Sequence, residues 1–332
     1  MSTQTIPLAT CLLALLALAV PAPLAAQVRV QQIDPAKLPG FPGFPGFDPA
    51  KPGELPSFDP QKMFDQFFGK GGAGDASDEA LAKVEVTFEE ESKLGKQALD
   101  ALKQQLAARR SELVTRGKEV DYLSRLVELL RPQMTQAARY RKLHVYLIES
   151  NDPDAYSLPG GQVLFSRALI EAAGCEAALV AAAGHELAHL DRGHLLRRTR
   201  QWKLAQESFQ PGKAATPDKM MQMMSLMPRL FSRPFGPEEE LDADRDGIQW
   251  AFALGYDPRA VLRIYDTFEA NGKNAPNFMP AFLRTHPLTA ERRENLQKSF
   301  VELSAANSRA RLYIGRENFE RKLTRNQREF PE

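Results

Sequence analysis

Between Ala177 and Leu190 the chain reads AALVAAAGHELAHL, and its only polar side chains there are His185, Glu186 and His189. The stretch is rich in helix formers, and a helix that is apolar all round belongs inside a protein. Any fold that contains it must surround it. That fold must also satisfy three ionisable groups, because burying them is costly unless they are paired or bound to a metal. Each residue of a helix advances about 100°, so His185 and His189 lie about 40° apart, one turn above the other. Both imidazoles can reach one ion. Glu186 points towards the same cavity but is offset from them, where it can act as general base on a water held by the metal. The bland alternative is a pair of buried histidines satisfied by backbone carbonyls.

A hydrolytic zinc site needs three protein ligands and an open position. His194 is nearest in sequence, but on a helix continuing to about Leu196 it faces roughly the opposite side. The extended pattern HExxHxxGxxH also fails, since Arg192 stands where Gly is needed and Leu195 where His is needed. A better source is PEEELDADRDGIQWAFALG (237–255), where Pro237 and three glutamates make a helix start. With Glu240 at 0°, Leu241, Asp244, Ile248, Ala251, Phe252 and Gly255 fall between about 20° and 120°, one inward arc. Glu238, Asp242, Arg245, Asp246 and Gln249 fall on the outer face. Glu240 can therefore complete a site of two histidines and one glutamate, with one Zn2+ per chain. Asp244 can accept the free N–H of a ligating histidine and fix its tautomer.

The rest of the 332 residues frame this helix. Net charge is +1, hydrophobic content 43% and charged content 26%. That balance gives no footprint for nucleic acid or an anionic membrane. CLLALLALAV (11–20) is too short to span a bilayer and is followed by PAPLAAQ. Residues 1–26 read as a secretory signal cut after Ala26, although no Lys or Arg precedes the apolar run. Cys11 lies at the start of that run rather than after it, which disfavours lipid attachment. The expectation is an exported, soluble protein in the periplasm or outside the cell, with no stable membrane span and an undefined oligomeric state. Cys175 would be the sole cysteine after cleavage, a small buried residue rather than a reactive thiol. Residues 27–76 are dense in Pro and Gly and read as an extended linker.

Helix formers resume at Ser77, and KEVDYLSRLVELL follows Gly117. KLHVYLIES (142–150) reads as a strand, LPGGQVLFS (158–166) as a turn into a second strand, and ALIEAAG as a helix ended by Gly174. His144 reads as an ordinary, partly buried histidine. The insertion 195–236 holds KMMQMMSLMPRLF (219–231), which can serve as an adaptable lid over the metal or as a helix packed on the core. The catalytic domain is expected over 77–305, and 306–332 as a polar, basic tail outside it.

HELAH, then ELDAD, then HPLTAERRENL (286–296), preceded by DAYSLPGGQVLFSRALI (154–170), resembles the HtpX/BepA/CAAX-prenyl-protease family of HExxH zinc metallopeptidases. The resemblance covers roughly residues 85–300. It implies an α+β fold, a mainly helical zincin-type domain with a small sheet and an HExxH helix. It also implies His185, His189 and Glu240 as zinc ligands, Glu186 as base and Asp244 behind the ligands. An edge strand near Gly160, Gly161, Gln162 and Val163 is expected to pair with extended polypeptide substrates. A histidine at the position of His286 can approach the metal in this pattern, where it would close the site, and Arg292 is a candidate for stabilising the oxyanion. Transmembrane helices and a helical repeat, found in other members, are not read here. The function expected is an exported zinc metalloendopeptidase acting on unfolded or misassembled proteins. The alternative is a zinc-holding, chaperone-like binder with little proteolysis.

Overall fold

The computed structural model describes residues 77–209, 233–274, 289–307 and 311–332, together with Leu226, Met227, Leu230, Phe231 and His286. The expected signal segment and linker lie outside the described residues, as does most of the methionine-rich stretch. The four residues described within 226–231 are buried. No helix among the described residues is long and apolar enough to cross a membrane.

The helix expected after Ser77 is two helices, α1 (Asp78–Ala82) and α2 (Phe88–Ala108). Between them VEVT is β-branched and disfavours helix, and Thr87 with Glu90 forms a capping box that restarts it. α3 (Lys118–Leu130) buries Val120, Leu123, Leu126, Val127 and Leu130, the spacing of a single inward stripe. The sheet comprises β1 (Leu113–Val114), β2 (His144–Ile148), β3 (Ala155–Leu158) and β4 (Gln162–Ser166), in the order β1-β2-β4-β3. β2 and β4 are parallel, whereas β1 and β3 run antiparallel to their neighbours. His144 is exposed at the start of β2, not partly buried.

This order corrects the expected substrate edge. Gly160 and Gly161 have φ of +75° and +80°, which glycine alone adopts without strain, and they close a hairpin between β3 and β4. Gln162 and Val163 therefore lie on a strand paired on both sides. The turn is itself packed against α2, where the Gly160 N–H donates to Glu91 Oε1 at 3.0 Å. The edges of the sheet are β1 and β3, and β3 is the edge strand of this hairpin.

α4 (Arg167–Ala173) ends at Gly174 and leads into α5 (Glu176–Asp191), every residue of which is buried. α6 (His194–Phe209) follows, then α7 (Pro237–Ala253), α8 (Leu262–Asn274), α9 (Ala290–Ala306) and α10 (Arg316–Arg321). α5 and α7 pack backbone to backbone. A Cβ on Gly247 would lie 2.8 Å from the His185 N and 3.0 Å from the Ala181 carbonyl oxygen.

Residues 311–332, separated as a tail by their composition, are part of the same packed structure. The first N–H groups of a helix have no partner within it. In α5 the N-cap, Cys175, offers no side-chain acceptor; the carbonyls of Gly315 and Ile314 accept from the Glu176 and Ala177 N–H groups instead. The buried Glu176 carboxylate accepts from Tyr122, Tyr256 and the Arg325 N–H. Burial pushes its pKa up, against the pull of those donors. Charged residues dominate the tail's composition, so no apolar periodicity announced this docking.

Gly247→Ala tests the helix contact. Helix propensity alone would gain about 1 kcal/mol. Forcing a methyl into fixed backbone costs about 1–3 kcal/mol and moves the ligand-bearing turn. The expected outcome is a lower unfolding temperature in the metal-free protein and weaker metal binding. A higher unfolding temperature with full metal affinity would show that the two helices separate freely.

Candidate metal centre

The apolar surround of α5 and the glycine contact with α7 decide which side chains meet. His185, His189, Glu240 and His286 each bring one ligand atom into a group whose members lie within 4.8 Å of one another, and all four are buried. His185 Nε2 is 3.1 Å from His189 Nε2 and 3.2 Å from His286 Nδ1. Glu240 Oε1 is 2.9 Å from His286 Nδ1 and 3.6 Å from His189 Nε2. In a tetrahedron with bonds of about 2.0–2.1 Å to nitrogen, neighbouring ligand atoms sit about 3.3 Å apart, so this donor set has the dimensions of a zinc site.

Tautomers give a second test of fit. His185 Nδ1 is 2.9 Å from Asp244 Oδ1, so its proton belongs there and Nε2 presents a lone pair. With His189 donating through Nδ1 to His194 Nδ1, at 2.8 Å, its Nε2 is also a lone pair. Two lone pairs 3.1 Å apart repel unless a cation lies between them. Burial holds His189 well below the usual histidine pKa, so protonation does not supply that cation. The charge balance points the same way. Three buried carboxylates, Glu186, Glu240 and Asp244, converge here; the buried Arg292 guanidinium pairs with two of them, Glu240 and Asp244, and the donor set suits a divalent metal.

Arg292 is fixed by this balance. It grips Asp244 through Nε and Nη2, each at 2.7 Å, reaches Glu240 Oε2 at 2.6 Å and donates to the Tyr265 hydroxyl at 3.1 Å. Its contacts serve the Glu240 ligand and the Asp244 carboxylate behind His185, a supporting place for Arg292 rather than the expected one beside an oxyanion. Burial works to raise the Glu240 carboxyl, but His286, His185 and Arg292 outweigh it and hold it low. Asp244 likewise is raised by burial and lowered further by Arg292 and His185.

His194 is not among the converging ligands, yet it does not face away either. α5 stops at Asp191, and Gly193, at φ +78°, turns the chain so that His194 returns against His189. Phe235 stacks on the other face of His189, 3.8 Å between centroids, and the Arg198 guanidinium lies 3.6 Å over Phe235. Asp246, placed outside by the wheel, is drawn in by Arg192, whose Nε and Nη2 reach it at 2.5 and 2.7 Å. The ridge of α7 facing α5 is thus wider than one arc, because Ala243 and Gly247 let the helices touch.

Glu186 lies at the mouth of the centre. Its Oε1 makes no hydrogen bond and is 3.4 Å from His286 Nε2, while Oε2 is 3.3 Å from the Ser157 hydroxyl. Burial lowers the His286 pKa, but Glu240 and Glu186 outweigh it and leave it raised. A cleft of about 570 Å³ opens beside His286. Its walls include Leu102 and Leu106 of α2, Tyr156, Ser157 and Leu158 of β3, and Phe235. The β3 edge of the sheet therefore lines the same cleft as His286, the neighbour of Glu186.

The chain matches the model of peptidase family M48 over residues 120–299. It is 28% identical over 166 residues to a beta-barrel assembly-enhancing protease of Escherichia coli K12, covering 45% of this chain and 32% of that protein. It is 27% identical over 154 residues to the mitochondrial metalloendopeptidase OMA1 of Arabidopsis thaliana, covering 46% and 30%. The chain spans about a third of the length of these relatives.

Two neighbouring glutamates separate ligand from cap. Glu240→Ala is expected to abolish stoichiometric metal binding. Glu239 accepts from the Gly236 N–H at 2.8 Å, so Glu239→Ala should cost about 1 kcal/mol of stability and keep the metal. Elemental analysis of both purified variants decides; the reverse order would move the ligand by one residue.

Proposed function

This chain belongs to peptidase family M48, and from that premise we propose that it is a zinc-dependent endopeptidase with Glu186 as its general base. The observation that carries the reading is the placement of the Glu186 carboxylate, with Oε1 unbonded beside converging nitrogen and oxygen ligands and the carboxylate in contact with His286 and Ser157, which line the cleft. His185, His189 and Glu240 would hold the ion, and Asp244 and His194 would fix the imidazoles. A zinc ion there supplies Lewis acidity, polarising a peptide carbonyl and lowering the pKa of water to about 7. Glu186 takes the proton of the attacking water and returns it to the leaving amine. β3 offers backbone groups to an extended segment without regard to its sequence, which suits unfolded polypeptide.

His286 gives this enzyme a resting state. It touches both Glu240 and Glu186, so it occupies the space between ligand and base where a water must enter. Four protein ligands close a zinc site and make it structural. The chain is proposed to be latent until His286 withdraws, which also accounts for the binder-like alternative. The name of the Escherichia coli relative and the N-terminal apolar run support action on misassembled proteins outside the cytoplasm, as an exported protein.

Glu186→Gln is expected to stop casein cleavage while one zinc remains, since Gln keeps the shape but cannot accept the proton. Undiminished cleavage would refute the mechanism. A chelator should remove activity and lower the unfolding temperature together. His286→Ala should raise basal cleavage at unchanged zinc content; equal or lower activity would rule out the latch.

A further inference from the structure

Glu186 has two carboxylate oxygens, and the structure treats them differently. Ser157 lies in β3, with its side chain 5% exposed. Side chains alternate along a strand, so Ala155 and Ser157 share the face turned to α5, while Tyr156 and Leu158 share the other. A hydroxyl on a buried face needs a partner. Ser157 has two: its Oγ is 2.9 Å from the Glu186 backbone carbonyl and 3.3 Å from Glu186 Oε2. It carries one proton for these two acceptors.

We propose that Ser157 is a positioning residue for the general base, holding Glu186 Oε2 so that Oε1 is the atom that accepts and returns the proton. This rests on the reading of Glu186 as base. An ionised carboxylate is a stronger acceptor than an amide carbonyl, so the hydroxyl turns to Oε2 while Glu186 is charged. Once Glu186 carries the proton taken from water, the hydroxyl turns back to the carbonyl, 2.9 Å away. Ser157 keeps its own proton throughout, and its hydroxyl is satisfied in both states. Without it, the carboxylate has freedom to rotate about its last bond and to offer either oxygen. That freedom must be removed again in each turnover, and proton transfer depends steeply on such alignment.

The location adds a consequence. Ser157 belongs to an edge strand of the sheet, the strand proposed to pair with substrate, and its side chain grips the base on the opposite side. One residue thus links the strand that registers the peptide to the carboxylate that acts on it. A displaced β3 carries the hydroxyl away from Oε2, so a poorly seated peptide meets a poorly aimed base.

Kinetics of Ser157→Ala, Ser157→Thr and Glu186→Gln on one peptide test this, with zinc content and thermal unfolding of the zinc-free protein measured for each. Ser157→Ala is expected to lower kcat about ten- to hundredfold with KM changed less than about twofold, at full zinc content. Ser157→Thr, which keeps the hydroxyl, should recover most of kcat. Should Ser157→Ala unfold or lose zinc, Ser157→Cys preserves the volume with a weaker donor, and its kcat should fall between the two. Wild-type kcat in Ser157→Ala, or in Ser157→Cys where it is needed, overturns the role of Ser157 if Glu186→Gln is inactive. Activity in Glu186→Gln overturns instead the reading on which the role rests.

Discussion

Gly184 and Gly247 let the backbones of α5 and α7 meet: a Cβ on Gly184 would sit 3.0 Å from the Gly247 Cα. That contact fixes the distance at which everything else must be arranged. Larger residues would separate the helices by a side-chain layer and carry Glu240 away from the two histidines. The contact also supplies the insulation that a metal centre requires. With no room between the helices, the polar groups are confined to the end where His185, His189, Glu240 and Asp244 converge. There the electrostatic cost of burial is met by pairing. Arg292 neutralises part of the carboxylate charge, and the rest suits a divalent cation.

Around this contact the supports of the two histidines differ. His185 is backed by a carboxylate that is itself held by a guanidinium. His189 is backed by another imidazole and stacked on Phe235, which in turn lies under Arg198. Burial lowers the Arg198 pKa to about 10, and its charge is placed among the carbonyls of Phe231, Arg233 and Pro234. This ties the last residues of the insertion to the ligand on which Phe235 stacks, so one wall of the cleft and one ligand share their support.

Much of the core of this site was legible in the sequence because it obeys helical periodicity. An apolar helix with three polar residues had to be buried, and the wheel placed Glu240 and Asp244 on a common face, where the structure also brings them. What escaped depended on turns and on distant contacts. Helical phase continued through Gly193 carries His194 away, but the chain reverses at that glycine. Phase alone also places Asp246 outside, because it takes no account of Arg192, which draws it in. The substrate edge was displaced by one strand, since a Gly-Gly turn identifies a hairpin but not which of its arms is unpaired. Arg292 carried a motif without a direction; its partners, Asp244 and Glu240, are about fifty residues earlier. Ser157 was invisible for a related reason. A lone serine in a short strand has no pattern, and its meaning comes only from the helix opposite.

The docking of residues 311–332 sets an order in time. Gly315 and Ile314 supply the acceptors for the first turn of α5, and Arg325 reaches the Glu176 carboxylate from 149 residues away. Such long-range closures are slow, and during synthesis they wait for the later partner to emerge. Until then the metal-bearing helix has unpaired donors and a buried carboxylate short of one of its partners. A ribosome-bound chain therefore carries the complete HELAH sequence long before it carries a finished helix. The first turn of the helix encoded at its middle is completed only by residues translated far downstream.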